Sequence, residues 1–422
     1  MSHFGVVCPP SPGHLYPMIA LAHALRRRGH RITFFNLADA ERTVRDAGLD
    51  FHPLAADELP AGAMAELFEQ LGRLSGWAGL RYTREWFTRG AGLFFRDAPA
   101  AMVNTETEAL LVDQASPFGG TVADHLGLPF VTVCNALLLN EEPGVPPFCF
   151  GWRYADSAWA RLRNRLGYAL LHRVKAPLDR LVREQRRAWD LPPQHGLDAS
   201  LSTLAQISQQ PAEFEYPRRG LPACFQFAGP FHDTASREPV EFPYDRLDGR
   251  PLIYASLGTV QNRLLPTFRA IAESCSGLDA QLVISLGGGG SAEELGELPG
   301  DPVVVPFAPQ LDLLRRAALT VTHAGMNTAL ETLRQGVPMV ALPITNDQPG
   351  VAARVAWTGT GEVVPASRLT VPRLRQAVEQ VLTEPGYRER AEAMRTAMAR
   401  YGGADQAADL IERVVRTGQA VA

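Results

Sequence analysis

Lysine is almost missing from this 422-residue chain: Lys175 stands alone, and arginine supplies the rest of the 41 cationic side chains, set against 45 acidic ones. A net charge of −4 leaves no basic surplus of the kind that holds nucleic acid, so a nucleic-acid partner is not expected. Cysteine is sparse as well. Cys8, Cys134, Cys149, Cys224 and Cys275 are scattered without a C-x-x-C pair, which argues against a thiolate metal site or a disulfide framework and for a reducing cytoplasm. Neither an Asp-x-Asp pair nor an H-E-x-x-H run occurs, so the usual means of presenting a metal to a diphosphate or a water are missing, and metal-independent chemistry is expected. No apolar run is long enough for a membrane span, and the chain opens on a strand-like run instead of a charged-then-apolar leader.

What remains is an ordinary globular composition, 46% hydrophobic and 20% charged, at a length that exceeds a single hydrophobic core. Two domains facing a cleft are the expectation. The opening "FGVVCPPSPGHLYPMIALAHALRRRGHRITFF" reads as strand, Pro/Gly loop, amphipathic helix closed by Gly29, and strand, a βαβ unit. Apolar runs at 109–112 and 129–133 around a helical stretch at 118–126 continue the alternation of a parallel sheet covered by helices. Longer Trp- and Arg-rich helical stretches, about 63–95 and 157–189, look like insertions, the second as an amphipathic helix pair.

From about Gln209 to Arg250 the chain turns Pro-rich and irregular, and there the domain boundary is expected. The proposed division is 1–230, 231–400, and a C-terminal helix in 401–422 that crosses back to the first domain. The second half reads strand 251–257, helix 264–274, strands 280–286 and 302–306, helix 309–316, strand 319–322, helix 326–335, strand 337–342, helix 348–356 and strand 361–364. "SLGGGG" at 285–290 lacks the context of a phosphate loop and reads as a flexible loop.

"THAGMNTALETLRQGVPMVALPITNDQ", from Thr322 to Gln348, places its polar residues near the ends of otherwise apolar elements. Ligands of open parallel sheets bind outside the strand carboxyl ends, where helix N-termini offer unpaired N–H groups and a positive dipole end. His323, Gly325, Asn327 and Thr328 fall at such a turn and suit a diphosphate. Glu331, one turn along the same face, can accept from two adjacent ribose hydroxyls, and Asp347 and Gln348 after the next strand suit a polyhydroxyl ring.

These residues resemble the family 1 glycosyltransferases, whose sugar-nucleotide signature is similar to Phe307-Ala308-Pro309-Gln310, His323-Ala324-Gly325-Met326-Asn327-Thr328, Glu331, Gly336-Val337-Pro338 and Asp347-Gln348, in that order. Within the family, "ASLGT" at 255–259 and "NDQPGVAARV" at 346–355 are most similar to bacterial carotenoid glucosyltransferases and their macrolide-modifying relatives. The resemblance implies an α/β chain of GT-B architecture, two Rossmann-like doubly wound parallel-sheet domains facing a cleft. It implies Phe307 against the uracil with Ala308 and Gln310 at the base edge. His323, Gly325, Met326, Asn327 and Thr328 would lie at the diphosphate, Glu331 at the ribose, and Asp347 with Gln348 at the sugar. Ser256, Thr259 and Gly13 would be further donor contacts. Plant members carry Trp where this chain has Phe307 and Met326, so thymidine nucleotides stay open beside uridine ones.

Inverting glycosyl transfer needs a base for the acceptor hydroxyl, and the first domain should supply it. His14, on the loop after the first strand, has that position, and Asp113 at the end of "EALLVD" can set its tautomer and stabilise its imidazolium. Asp113 also fits a plain helix cap. His30, His125 and His172 read as structural or surface residues. The expected reaction moves glucose from UDP-glucose, a co-substrate and not a cofactor, to a lipophilic hydroxylated acceptor, and no cofactor or metal is expected. The oligomer is a monomer or homodimer. The 157–189 stretch leaves a peripheral membrane contact open. Two other readings stand beside this one: a sugar-nucleotide epimerase or lipid-linked sugar transferase on the same fold, and a non-catalytic sugar-nucleotide or glycolipid-binding protein.

Overall fold

The structure, a computed structural model, describes residues 1–73, 76–194, 198–233, 240–259 and 264–421. Part of the Pro-rich stretch, residues 234–239, lies outside the described residues.

Two all-parallel sheets organise the chain. The first contains β1 (His3–Val7), β2 (Arg31–Asn36), β3 (Asp50–Pro53), β4 (Ala109–Asp113), β5 (Phe130–Cys134), β6 (Gln206–Ser208) and β7 (Phe225–Phe227), in the order β3-β2-β1-β4-β5-β6-β7. The second contains β8 (Leu252–Ser256), β9 (Gln281–Ser285), β10 (Val303–Val305), β11 (Ala317–Thr322), β12 (Met339–Ala341) and β13 (Gly361–Val363), in the order β10-β9-β8-β11-β12-β13. Both are doubly wound, and their central strands are buried on both faces, as helices on each side require. The order reverses between β1 and β4 and again between β8 and β11. Crevices that bind ligands open at such reversals, beyond the strand carboxyl ends.

The elements read in the second half fall within about two residues of the expectation, most of them apolar periods bounded by Gly or Pro, while the four-residue helix Ala292–Leu295 escapes it. Three short strands escape that reading. β3 (DFHP), β6 (QIS) and β7 (FQF) carry too few apolar residues to show a period, and β7 lies inside the stretch read as irregular. The 157–189 stretch forms one helix, Ala158–Ala188, in place of the expected pair: Pro177 sits inside it without ending it. The final helix, Gly403–Thr417, inserts Ala407, Ala408, Ile411 and Val414 into the core beneath β1 and β2. Arg28 and His30 of the first half hold its outer side through Asp409 and Glu412.

Candidate active site

Both strand-order reversals carry the polar residues singled out in the sequence. At the first, β1 runs through Cys8-Pro9-Pro10 into helix Pro12–Arg27, with Pro12 at a position where the missing N–H costs nothing. His14 thus sits in the first turn, and its Nδ1 lies 2.7 Å from Oδ2 of Asp113 at the end of β4. Asp113 is fully buried, while His14 stays partly exposed. The same carboxylate accepts from Asn135 Nδ2 at 2.7 Å and from the Ala115 N–H at 2.8 Å. An ionised carboxylate only accepts, so Nδ1 of His14 donates and the lone pair of the neutral ring is left on Nε2. Burial pushes the His14 pKa down, but the charge and hydrogen bond of Asp113 and the charge of Asp347 outweigh it and hold it above the ordinary histidine value.

At the second reversal, β8 ends in Ser256 and β11 runs into His323 and helix Met326–Arg334. The His323 ring lies against the backbone of Gly258 and Gly325: a Cβ at either would come within 2.7 Å and 2.5 Å of its Nε2. Burial lowers its pKa to about 4, so it meets a ligand as a neutral hydrogen-bonding ring. Ala324 takes a left-handed conformation (φ 63°), which turns the chain so that Gly325 caps the helix and the N–H groups of Met326, Asn327 and Thr328 point out of its first turn. The Met326 side chain packs with Leu137, Leu330 and Leu333, so only its backbone faces the turn.

Asn327 joins the two halves. Its Nδ2 donates to the Gly13 carbonyl at 2.9 Å, and its Oδ1 accepts from Gln209 Nε2 at 2.9 Å. Asp347 comes to the same place from the next strand end, where it accepts from the Leu137 N–H at 3.4 Å and faces His14. Burial raises the Asp347 carboxyl above its ordinary value, against the pull of that N–H and of His14. Gln348 Oε1 accepts from the N–H groups of Ile344 and Thr345, closing the turn and leaving its amide hydrogens for a ligand.

Glu331 Oε2 accepts from Gln310 Nε2 at 2.6 Å, and Gln310 Oε1 accepts from Tyr254 at 3.1 Å, so Gln310 acts as the strut that orients Glu331. Phe307 is 50% exposed beyond β10, with Ala308 beside it. A Cβ on Gly288 would lie 2.7 Å from its ring, so the glycine loop makes room for an aromatic platform. Ser256 closes its own turn by accepting from the Gly258 N–H at 3.4 Å, and Thr259 is exposed beside it.

Three residues of this site escape the sequence reading: Asn135, Gln209 and Leu137. The first two each directly follow a strand at the carboxyl edge, the position that singled out Asp113; "VTVCN" shows its strand and so marks Asn135, whereas "QISQQ" is too short to show one and leaves Gln209 unmarked. Leu137 acts through its backbone, which no side-chain pattern reveals. His30, His125 and His172 are engaged elsewhere, on Glu412, the Trp189 ring and Glu141.

The sequence profile described as UDP-glucoronosyl and UDP-glucosyl transferase matches residues 187–401, and one described as glycosyltransferase family 28 N-terminal domain matches residues 11–86. The chain is 35% identical to a zeaxanthin glucosyltransferase of Pantoea ananas, with 100% of this chain and 98% of the relative covered. It is 29% identical to 4'-demethylrebeccamycin synthase of Lentzea aerocolonigenes over 97% of this chain and 99% of the relative. Among solved structures, the glycotransferase of kitacinnamycin superimposes with a TM-score of 0.77 at 26% identity, covering 98% of each chain.

Proposed function

Since the chain belongs to the family of UDP-glucoronosyl and UDP-glucosyl transferases, and is therefore a UDP-glycosyltransferase of GT-B architecture, we propose that it moves glucose from UDP-glucose, with inversion and without a metal, to a hydroxyl of a lipophilic small molecule. The observation that carries this reading is the His14–Asp113 pair at 2.7 Å, set at the reversal of the first sheet and facing Asp347 of the second. His14 Nε2 takes the acceptor proton as the oxygen attacks the anomeric carbon. The bond from that carbon to the diphosphate breaks in the same displacement, and its electron pair leaves with UDP. Family membership takes precedence over the epimerase reading, and the intact His14–Asp113–Asn135 network supports a catalytic protein over a silent binder. The names of the relatives, one acting on zeaxanthin, support the acceptor class. We place the enzyme in the cytoplasm.

The N-terminus of helix Met326–Arg334 and the neutral His323 ring would receive the leaving diphosphate, the dipole offsetting part of its charge. Because Asn327 Oδ1 is held by Gln209 and one Nδ2 hydrogen by the Gly13 carbonyl, a diphosphate oxygen reaching Asn327 accepts from Nδ2, through its second hydrogen or in place of Gly13. Activity is expected to survive EDTA, measured as product formation after exhaustive chelation. Complete loss that magnesium restores would overturn this account of the leaving group.

Donor competition tests the sugar assignment. Asp347 can accept from two neighbouring hydroxyls, and Gln348, its oxygen engaged by the turn, can donate. Inverting one hydroxyl, as in galactose, leaves a buried polar group unpaired at about 1–3 kcal/mol, roughly 5- to 150-fold in kcat/KM. Among UDP-glucose, UDP-galactose, UDP-N-acetylglucosamine and TDP-glucose, UDP-glucose is expected first. TDP-glucose should be a weaker second, lacking one ribose hydroxyl for Glu331. Preference for an N-acetylated or deoxy sugar would sink the glucose assignment.

A further inference from the structure

Helix Ala158–Ala188 has two apolar faces, and the core uses one. Ala160, Asn164, Gly167 and Tyr168 are buried, with Gly167 so close to Trp152 and Pro147 that a Cβ would meet them at 2.8 and 3.0 Å. On the opposite side, Trp159, Leu162, Leu166 and Leu170 recur at spacings of three and four, which puts them in one row along the helix. All four point to solvent, Trp159 with 71% and Leu166 with 63% of its surface exposed. A continuous exposed row of large apolar side chains marks a contact surface.

The charge around the row selects the partner. The helix carries eight arginines, of which Arg186 is buried against Asp124, and Lys175 against Asp179 and Glu184, on a chain whose net charge is −4. Arg161, Arg165 and Arg173 are exposed beside the row, Arg161 in an ion pair with Asp156. Two copies meeting through this face would set like charges against each other. A surface of anionic headgroups over an apolar interior satisfies both features at once, with the Trp ring at the boundary.

We propose that this face docks on an anionic lipid bilayer, with Trp159, Leu162, Leu166 and Leu170 entering the headgroup boundary and the flanking arginines on the phosphates. The buried face of the same helix is tied to the cleft. Trp152 and Pro147, which support the helix, belong to a loop whose Gly151 lies against Pro349 and whose Phe148 carbonyl crowds Gly350, the residues that follow Asp347 and Gln348. Docking would then hold the cleft, tied to the helix through that loop, near a bilayer in which a lipophilic acceptor dissolves. That last step rests on the acceptor reading above; the docking itself does not.

Vesicle co-sedimentation of the full chain tests it. Wild-type protein is expected to bind phosphatidylcholine vesicles containing roughly 30% phosphatidylglycerol, to bind pure phosphatidylcholine far less, and to be released by salt. Trp159→Ala/Leu166→Glu, both at exposed positions, should lower that binding by about tenfold or more. Its turnover of a water-soluble hydroxylated acceptor should stay unchanged, which separates lost docking from lost folding. Absence of vesicle binding, equal binding to both lipid mixtures, or undiminished binding by the double variant would overturn the proposal. So would a dimer in light scattering that Leu166→Glu splits, since the row would then be a protein interface. A chain that docks but transfers no sugar would leave docking standing and remove the functional reading.

Discussion

His14→Ala is expected to lower kcat by about two to four orders of magnitude, the effect of removing a general base, while the affinity for UDP stays nearly unchanged. The separation is anatomical. His14 projects from the first half and is held by Asp113, whereas the groups assigned to the nucleotide, from Phe307 to Glu331, belong to the second. The Gly13 carbonyl and the Gln209 amide reach across to Asn327, and the substitution leaves both in place. Asp113→Asn should cost less and should also move the pH profile. The base must be neutral to act, and Asp113 and Asp347 together hold its pKa above the ordinary value, so activity in the wild type falls as pH drops through that raised value. Without the Asp113 charge the imidazolium is less stable, and the acidic limb shifts to lower pH. Steady-state kinetics over pH and calorimetric titration with UDP measure both effects. A parallel loss of UDP affinity in His14→Ala would make His14 a donor-positioning residue. An Asp113→Asn variant with wild-type rate and profile would reduce Asp113 to a tie between Ala115 and Asn135.

Wherever a residue's position follows from an apolar period, the sequence discloses that position. His14, Asp113, His323 and Asp347 each follow a legible strand, and the rule that ligands meet strand carboxyl ends places them before any coordinates exist. The rule gives positions, not hydrogen-bond partners. Gln310 is expected at the base edge, and the structure adds that its amide spans Tyr254 and Glu331. Asn327 is expected at the diphosphate, and the structure adds that its two amide atoms bridge Gly13 and Gln209 from more than a hundred residues away. Such pairings depend on how the two sheets face each other, and no local pattern encodes that. The Met326 side chain shows the same limit in reverse: it is buried in a cluster that draws residues from both halves, Leu137 and Phe214 among them.

Glu215→Ala is expected to destabilise the folded chain by about 3–5 kcal/mol, because it strands a buried guanidinium. Glu215, in the segment between β6 and β7, and Arg354, in helix Gln348–Thr358 of the second half, form an ion pair with both side chains almost wholly buried. Glu215 Oε1 accepts from Arg354 Nε at 3.1 Å and from the Tyr216 N–H at 2.9 Å, while Oε2 accepts from Gln210 Nε2 at 2.8 Å. The guanidinium lies 4.3 Å over the Tyr216 ring and donates back to the Gly350 carbonyl, tying it to the helix end that carries Asp347. Burial pushes the Glu215 carboxyl up, but Arg354, Arg218 and the Gln210 amide outweigh it and hold it below the usual glutamate range. The stability this contributes is therefore present above the unfolded glutamate pKa and is lost as pH falls through the lowered folded value. Urea unfolding should show a large gap between wild type and Glu215→Gln at neutral pH, closing as the medium becomes acidic enough to protonate the wild-type carboxyl. Replacing both partners, Glu215→Leu with Arg354→Met, should recover part of the loss, since no charge of the pair is left stranded. The recovery stays partial because Arg218, 3.6 Å from Glu215 and equally buried, loses its carboxylate too. If either single variant unfolds like the wild type at neutral pH, the pair does not clamp the two halves, and the setting of Asp347 against His14 must come from the other contacts, among them the Asn327 bridge and the Leu137 N–H.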